Sequence, residues 1–349
     1  MPHRRSGGRS AARRNAEDLS IRCAVFPPRL RLEGLAWARQ ELEAILAHLR
    51  GGILLRMPGR GDVMANLWLV RAAHEFAAAA GSHPSLGHDE KHAHLQFAAQ
   101  SLLPMCQRVV QEFISEKGMD GIWMDDGGTL SGLARRGRKN AALAAPLRLN
   151  ALWYAALETT GLALRGLTPM GAGQHAKDST GDHFERLAGR FRRAFNKAYW
   201  CEEHQRICPP ELRADNTHGD LPDAEQLILM VLPVCPIPRT KQLGILAQME
   251  KLAQGPVGLW VRHADGMVES PIHRAWLAQA LGHAAETEAQ RANAVNVARP
   301  LAALQEAAST VGLHAFYRDG KPLGHSVDPV VTAEVVATLR RFLPSHPQT

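Results

Sequence analysis

Aromatic residues make up only 5% of this chain of 349 residues, and tyrosine is the scarcest, with 3 against 9 Phe and 7 Trp. The relative surplus of Trp suits a site that stacks flat rings as well as it suits a core. Cysteine is sparse too. The five (Cys23, Cys106, Cys201, Cys208 and Cys235) are odd in number, scattered and without a Cys-x-x-Cys pair. That excludes a disulfide framework and fits a reduced, intracellular setting, so the expected location is cytoplasmic. No apolar run reaches the roughly 18 residues of a membrane helix. No apolar stretch follows the basic N-terminus as it would in a secretory signal. Acid is missing from residues 1–16, which hold Arg4, Arg5, Arg9, Arg13 and Arg14. The net charge is +7, and these five arginines account for most of it. The basic balance therefore belongs to a tail and does not make the remainder a nucleic-acid binder. A composition 45% hydrophobic and 21% charged excludes a disordered chain.

The dominant period is helical. Leu42, Ile45, Leu46 and Leu49 share one helix face. Asp62 stands where it would cap a helix through Leu67, Val70 and Ala73 to about Ala80, stopped by Gly81. Helical stretches are expected over 89–116, with an interruption near Pro104, and over 145–164, 183–198, 222–232, 276–285, 286–308 and 330–342. Residues 118–132 are rich in turn formers. Strand signals are few and short, and no fixed-length repeat is visible. The direct reading is an all-α fold of about ten paired helices, more than half helix with negligible sheet. Residues 1–30, with Gly, Ser, Arg and Pro27-Pro28, read as a basic disordered arm and lead-in. Residues 31–345 read as a single domain.

Specific strings add to this. Asn150-Ala151-Leu152-Trp153-Tyr154-Ala155-Ala156-Leu157 closely resembles a segment of the C-terminal catalytic domain of glycogen debranching enzymes, the amylo-α-1,6-glucosidase family. Further matches follow in family order: Asn66-Leu67-Trp68, Gly121-Ile122-Trp123-Met124-Asp125-Asp126-Gly127, Ala194-Phe195-Asn196-Lys197 with Trp200, Gln226 before Leu232-Pro233, Trp276-Leu277, and Gly324 before Ala333-Glu334-Val335. The resemblance spans roughly residues 35–343. It implies an (α/α)6 toroid of six helical hairpins, the first incomplete, whose loops at one end form a glucan pocket. It also implies hydrolysis of an α-1,6-linked glucose without metal or organic cofactor.

The departures from the family pattern fall on the pocket. The segment carrying the family's catalytic acid should lie between Gly132 and Asn150. There the chain is basic and about a dozen residues too short. Arg148 stands for a family Glu. Asp223-Ala224-Glu225-Gln226 stands for Arg-Pro-Asn-Gln, Val268 to Arg274 for a pocket-lining Tyr-His-Gln-Gly-Thr-Val-Trp, and Asp328-Pro329-Val330 for Gln-Ala-Trp. Glycoside hydrolysis needs two carboxyl groups across the scissile bond. Asp125 as acid and Glu334 as base are the best remaining pair, with turn and helix-surface roles as their ordinary alternatives. Trp68, Trp153, Tyr154 and Trp276 are candidates to stack on glucose, against core packing. Asn150, Gln226 and Asp126 are the candidate polar contacts. The expectation is that hydrolysis is weak or absent while α-glucan binding persists. A non-catalytic interaction toroid is the alternative. His88-Asp89-Glu90-Lys91-His92 lacks the Glu after the first His of zinc proteases and a defined third ligand, so no metal is expected. Arg135 to Lys139 reads as a solvated basic loop.

Overall fold

The computed structural model describes residues 6–57, 60–115, 119, 122–124, 126, 128–133, 142–144, 147–171, 179–208, 223–263, 266–318, 320–323 and 326–343. The chain divides into two compact units, 1–194 and 195–349, with the boundary inside one long helix. Helix covers well over half of the described residues, as expected.

In the first unit α1 (Ser6–Glu33) and α2 (Leu35–Leu46) form a hairpin, turned at Gly34 with φ of 84°. Arg22 clamps it with two bonds to Glu41, of 2.7 and 3.0 Å. This corrects the expected arm. Residues from Cys23 to Pro28 and Leu30 are buried, and α1 packs on α2 and α3. The docked part is the short run Cys23-Ala24-Val25-Phe26, set between arginines and prolines. Pro27 and Pro28 sit inside the helix rather than ending it. Helix α1 packs within the first unit, ahead of residue 31, where the domain was expected to begin.

Helix α3 (Val63–Ser82) follows an antiparallel ribbon of β1 (Leu55–Met57) and β2 (Arg60–Gly61). Asp62 caps it as the sequence suggests, accepting from the Ala65 N–H at 2.9 Å. Its residues from Ala65 to Ala73 are buried on every face, the mark of a helix surrounded by others. The next segment is α4 (His88–Phe97), a wide turn at 98–102, and α5 (Leu103–Ile114). The helix is thus interrupted just before Pro104. Three strands, β3 (Ile122–Met124), β4 (Leu130–Leu133) and β5 (Ala142–Ala144), form a meander leading into α6 (Leu147–Leu164). Helix α7 (Ser179–Tyr199) is amphipathic. Phe184, Leu187, Phe191 and Phe195 are buried, while Arg186, Arg190 and Arg193 are exposed.

The second unit repeats the scheme. The ribbon β6 (Trp200–Cys201) with β7 (Arg206–Ile207) precedes a 3₁₀ turn at Ala224–Leu227 that runs into α8 (Ile228–Val231). Then comes α9 (Arg239–Leu252). The hairpin β8 (Leu259–His263) and β9 (Gly266–Ser270) precedes α10 (Pro271–Ala284). Helices α11 (Glu288–Ala298) and α12 (Gln305–Thr310) follow, and β10 (Phe316–Arg318) with β11 (Lys321–Leu323) precedes α13 (Pro329–Phe342). Tyr317 pairs with Glu269, joining the last two ribbons into one sheet.

Sheet is therefore not negligible. Strands of two to five residues are too short for a period of two to show in the sequence. They form because the chain entering each buried helix must satisfy its own backbone groups.

Candidate functional site

The ribbon-to-helix junctions are where the candidate residues gather, and one device recurs there. A polar side chain early in the buried helix ties down the chain in front of it. In α3 it is Asn66, whose Oδ1 accepts from the Leu54 N–H at 2.9 Å while its Nδ2 donates to the Leu54 carbonyl at 2.8 Å. In α6 it is Asn150, fully buried, whose Oδ1 accepts from the Leu130 N–H at 2.8 Å and whose Nδ2 donates to the Leu130 carbonyl at 3.5 Å. Each amide imitates one rung of a β-ladder. Gln226 accepts from the Ile207 N–H at 3.2 Å. Thr332 accepts from the Leu313 N–H at 2.8 Å and donates to the Asp328 carbonyl at 2.9 Å. In α10 the tie is Arg274, which donates to the carbonyls of Ala253, Gly255, Gly258 and Val297 at 2.6 to 2.9 Å. Burial pulls its guanidinium below its ordinary pKa, and nearby Glu269 opposes that.

Asn150 and Gln226 were expected as sugar contacts. The structure places Asn150 Oδ1 and Gln226 Oε1 against backbone N–H groups, and Asn66, Arg274 and Thr332 were not anticipated. A signal for two of these was present. Asn66 precedes Trp68, Asn150 precedes Trp153 and Arg274 precedes Trp276, so a polar tie followed by Trp recurs without a fixed period. Replacing Asn150 with Ala should cost about 2 kcal/mol, since both polar groups of Leu130 lose their partner in a buried place. Asn150→Asp should cost at least as much at neutral pH, because a carboxylate cannot donate to the Leu130 carbonyl. Urea denaturation of the three proteins measures this. Equal midpoints would show that Leu130 is held by other means.

The aromatic candidates are core residues. Trp153 is fully buried, packs on Phe113 with ring centroids 5.4 Å apart, and donates to the Gly128 carbonyl at 2.9 Å. Gly128 is fixed there by a φ of 87° and by the backbone of α7, which lies 3.1 Å from where a Cβ would stand. Tyr154 stacks on Phe191 at 5.1 Å, and its hydroxyl accepts from Arg192 at 3.2 Å. Trp68 is buried under Arg71, and Trp276 meets His273 edge-on at 5.3 Å. None of these four rings offers a face to a sugar in this conformation, which corrects the stacking expectation. Aromatics on helices buried all round fill the core.

Of the carboxylates, Asp125 lies outside the described residues. Asp126 is an exposed turn residue whose carbonyl accepts from Arg190. Glu334, expected as base, is only 2% exposed and accepts from Gln279 Nε2 at 3.0 Å, within the α10–α13 contact. Glu269 is fully buried and accepts backbone N–H groups of Val257 at 2.7 Å, Gly258 at 3.0 Å and Gly320 at 3.2 Å. These donors belong to the loop before β8 and to the β10–β11 turn, so Glu269 ties both to β9. Among the described residues no group of three or more His, Cys, Asp or Glu is placed to hold a metal. No described helix is long and apolar enough to cross a membrane.

A crystal structure of a GH78 family rhamnosidase from Bacillus sp. GL1 superposes with a TM-score of 0.51 at 14% identity, covering 81% of this chain and 26% of that one. This chain thus spans about a quarter of that enzyme's length. The likeness is one of fold, the all-α (α/α)6 glycosidase-type architecture anticipated from the motifs. No curated protein sequence matches the chain. The family described as Amylo-alpha-1,6-glucosidase matches residues 57–271, and the chain belongs to that family.

Proposed function

We propose that this chain is a divergent amylo-α-1,6-glucosidase family member that binds α-glucan and hydrolyses its α-1,6 linkages weakly or not at all. The observation that carries the reading is the engagement of its carboxylates. Glu269 and Glu334 are both sealed and bonded to internal partners. A general acid must reach the leaving oxygen, and in an inverting enzyme the base must reach a water roughly 6.5–9.5 Å away. A carboxylate locked inside a helix contact does neither. The shortened, basic segment where the family carries its acid supports the same reading. Glucan is the ligand class because the family that matches residues 57–271 is described as Amylo-alpha-1,6-glucosidase.

The test is glucose release from limit dextrin by the wild type, Asp125→Asn and Glu334→Gln, alongside retardation of each in a glycogen affinity gel. Retardation without release is the expected result. Robust release abolished by either substitution would overturn the non-hydrolytic part. No retardation would overturn the glucan part. Trp153→Ala, an obvious binding variant from the sequence, is not informative, because it would empty the core around Phe113.

A further inference from the structure

Two of the five cysteines meet in the second unit, although no Cys-x-x-Cys spacing joins them. Strand β6 pairs with β7 so that Cys201 stands opposite Arg206 and Trp200 opposite Ile207. One step further out the Cys208 N–H donates to the Tyr199 carbonyl at 2.7 Å, which places Cys208 opposite Tyr199. Side chains alternate between the faces of a ribbon, so Cys201 and Cys208 share a face as diagonal neighbours. Their thiols are in hydrogen-bonding contact, and Arg206 reaches the Cys208 sulfur from the same strand. The turn between them is held as well: Gln205, with a φ of 51°, donates from Nε2 to the Glu202 carbonyl at 2.8 Å.

The pair is unequal. Cys201 is half-buried, whereas Cys208 is only 2% exposed. Burial pushes the Cys208 thiol above its ordinary pKa, and Arg206 opposes that. A small reagent from solvent therefore meets Cys201 first, with a second sulfur already in contact behind it. A partly exposed thiol beside a second one that can resolve it is the arrangement of redox-active cysteines. Cys23 and Cys106, by contrast, are fully buried in the first unit.

We propose that Cys201 and Cys208 form a modification site for peroxides, at which oxidation joins them in a reversible disulfide. The Cys201 thiolate attacks one oxygen of hydrogen peroxide, and the O–O bond breaks. That oxygen stays on sulfur as a sulfenic acid, and the other leaves as water. The Cys208 sulfur then attacks the Cys201 sulfur, the S–O bond breaks, and a second water leaves. Two thiols give up two electrons and two protons, and one peroxide becomes two waters. A dithiol reverses the step by exchange. The disulfide closes a short loop on the ribbon whose Ile207 N–H is held by Gln226. Oxidation therefore fastens the chain at the buried turn before α8.

The experiment treats the full chain with hydrogen peroxide, unfolds it, blocks the remaining thiols with iodoacetamide and digests with trypsin without reductant. Cleavage after Lys197, Arg206 and Arg213 puts Cys201 and Cys208 on separate peptides, 198–206 and 207–213. The expected product is these two peptides joined, lighter than their sum by two hydrogens and released by dithiothreitol, with Cys23 and Cys106 carrying the blocking group. Cys208→Ser should instead trap Cys201 as a sulfenic acid that dimedone labels. The oxidised wild type should melt several degrees above the reduced one, a gain absent from Cys208→Ser. Both peptides recovered separately with blocked thiols would overturn the proposal. So would Cys201 carried on to a sulfinic acid, or joined to Cys235. Equal melting temperatures for the joined and reduced forms would overturn the fastening of the ribbon.

Discussion

Arg274→Ala should be the most damaging single substitution outside the apolar core, lowering stability by at least about 4 kcal/mol. The guanidinium donates to four carbonyls, those of Ala253, Gly255, Gly258 and Val297. It is itself 4% exposed, so no water stands ready to replace it. Each carbonyl left without a donor costs roughly 1–3 kcal/mol. The loss would not stop there. Gly255 and Gly258 sit where an added Cβ would lie 2.6 to 2.7 Å from Glu269, Ser270 or each other, and Glu269 closes the same loop from the opposite side. Arginine and glutamate thus hold one loop between them. Arg274→Lys should recover less than half, because an ammonium is a point donor without the planar fork. Guanidinium chloride denaturation of the three proteins is the measurement. A loss below about 1 kcal/mol would mean that the loop finds other donors.

Acid should weaken the first unit through His74. Its Nε2 faces Thr160 Oγ1 at 3.2 Å inside the α3–α6 contact, and burial pushes its pKa down to about 4 from an ordinary 6.5. The sign follows directly. In the unfolded chain this imidazole takes a proton as pH falls through about 6.5, while the folded protein keeps it neutral down to about 4. The unfolded state therefore binds more protons within that window. Stability is unaffected by this group above about pH 7 and is lost progressively between pH 6.5 and 4, by up to about 3 kcal/mol. His74→Gln keeps a polar partner for Thr160 without the titration. The difference in melting temperature between wild type and His74→Gln should shift by several degrees in favour of the variant from pH 7 to pH 5. A difference constant with pH would show that His74 titrates normally in the folded state.

Helices and their family order were legible because both signals are local. Asp62 announces α3, and Asn150 to Leu157 announces α6, within a few residues of chain. The ribbons were not legible. A strand such as Trp200–Cys201 shows no alternation, and its pairing to Arg206–Ile207 exists only once the chain has turned. The burial of Cys23 to Pro28 was hidden for a different reason: net charge and proline are averages over a segment, while docking depends on which residues face a neighbour.

The same division holds at the candidate site. Sequence alone determined which residue types stand at each junction, and with them the family. It could not decide whether a buried amide serves a ligand or the backbone. Asn150 chemically suits either, and only the 2.8 Å approach of the Leu130 N–H assigns it to the backbone. Nor could it bring Glu225 to His273, which are 48 positions apart and meet only because the 3₁₀ turn packs on the start of α10. Residue identity states what bonds a group can make; the partner it makes them with is set by tertiary packing, where each buried polar group must be satisfied by whatever the fold brings within reach.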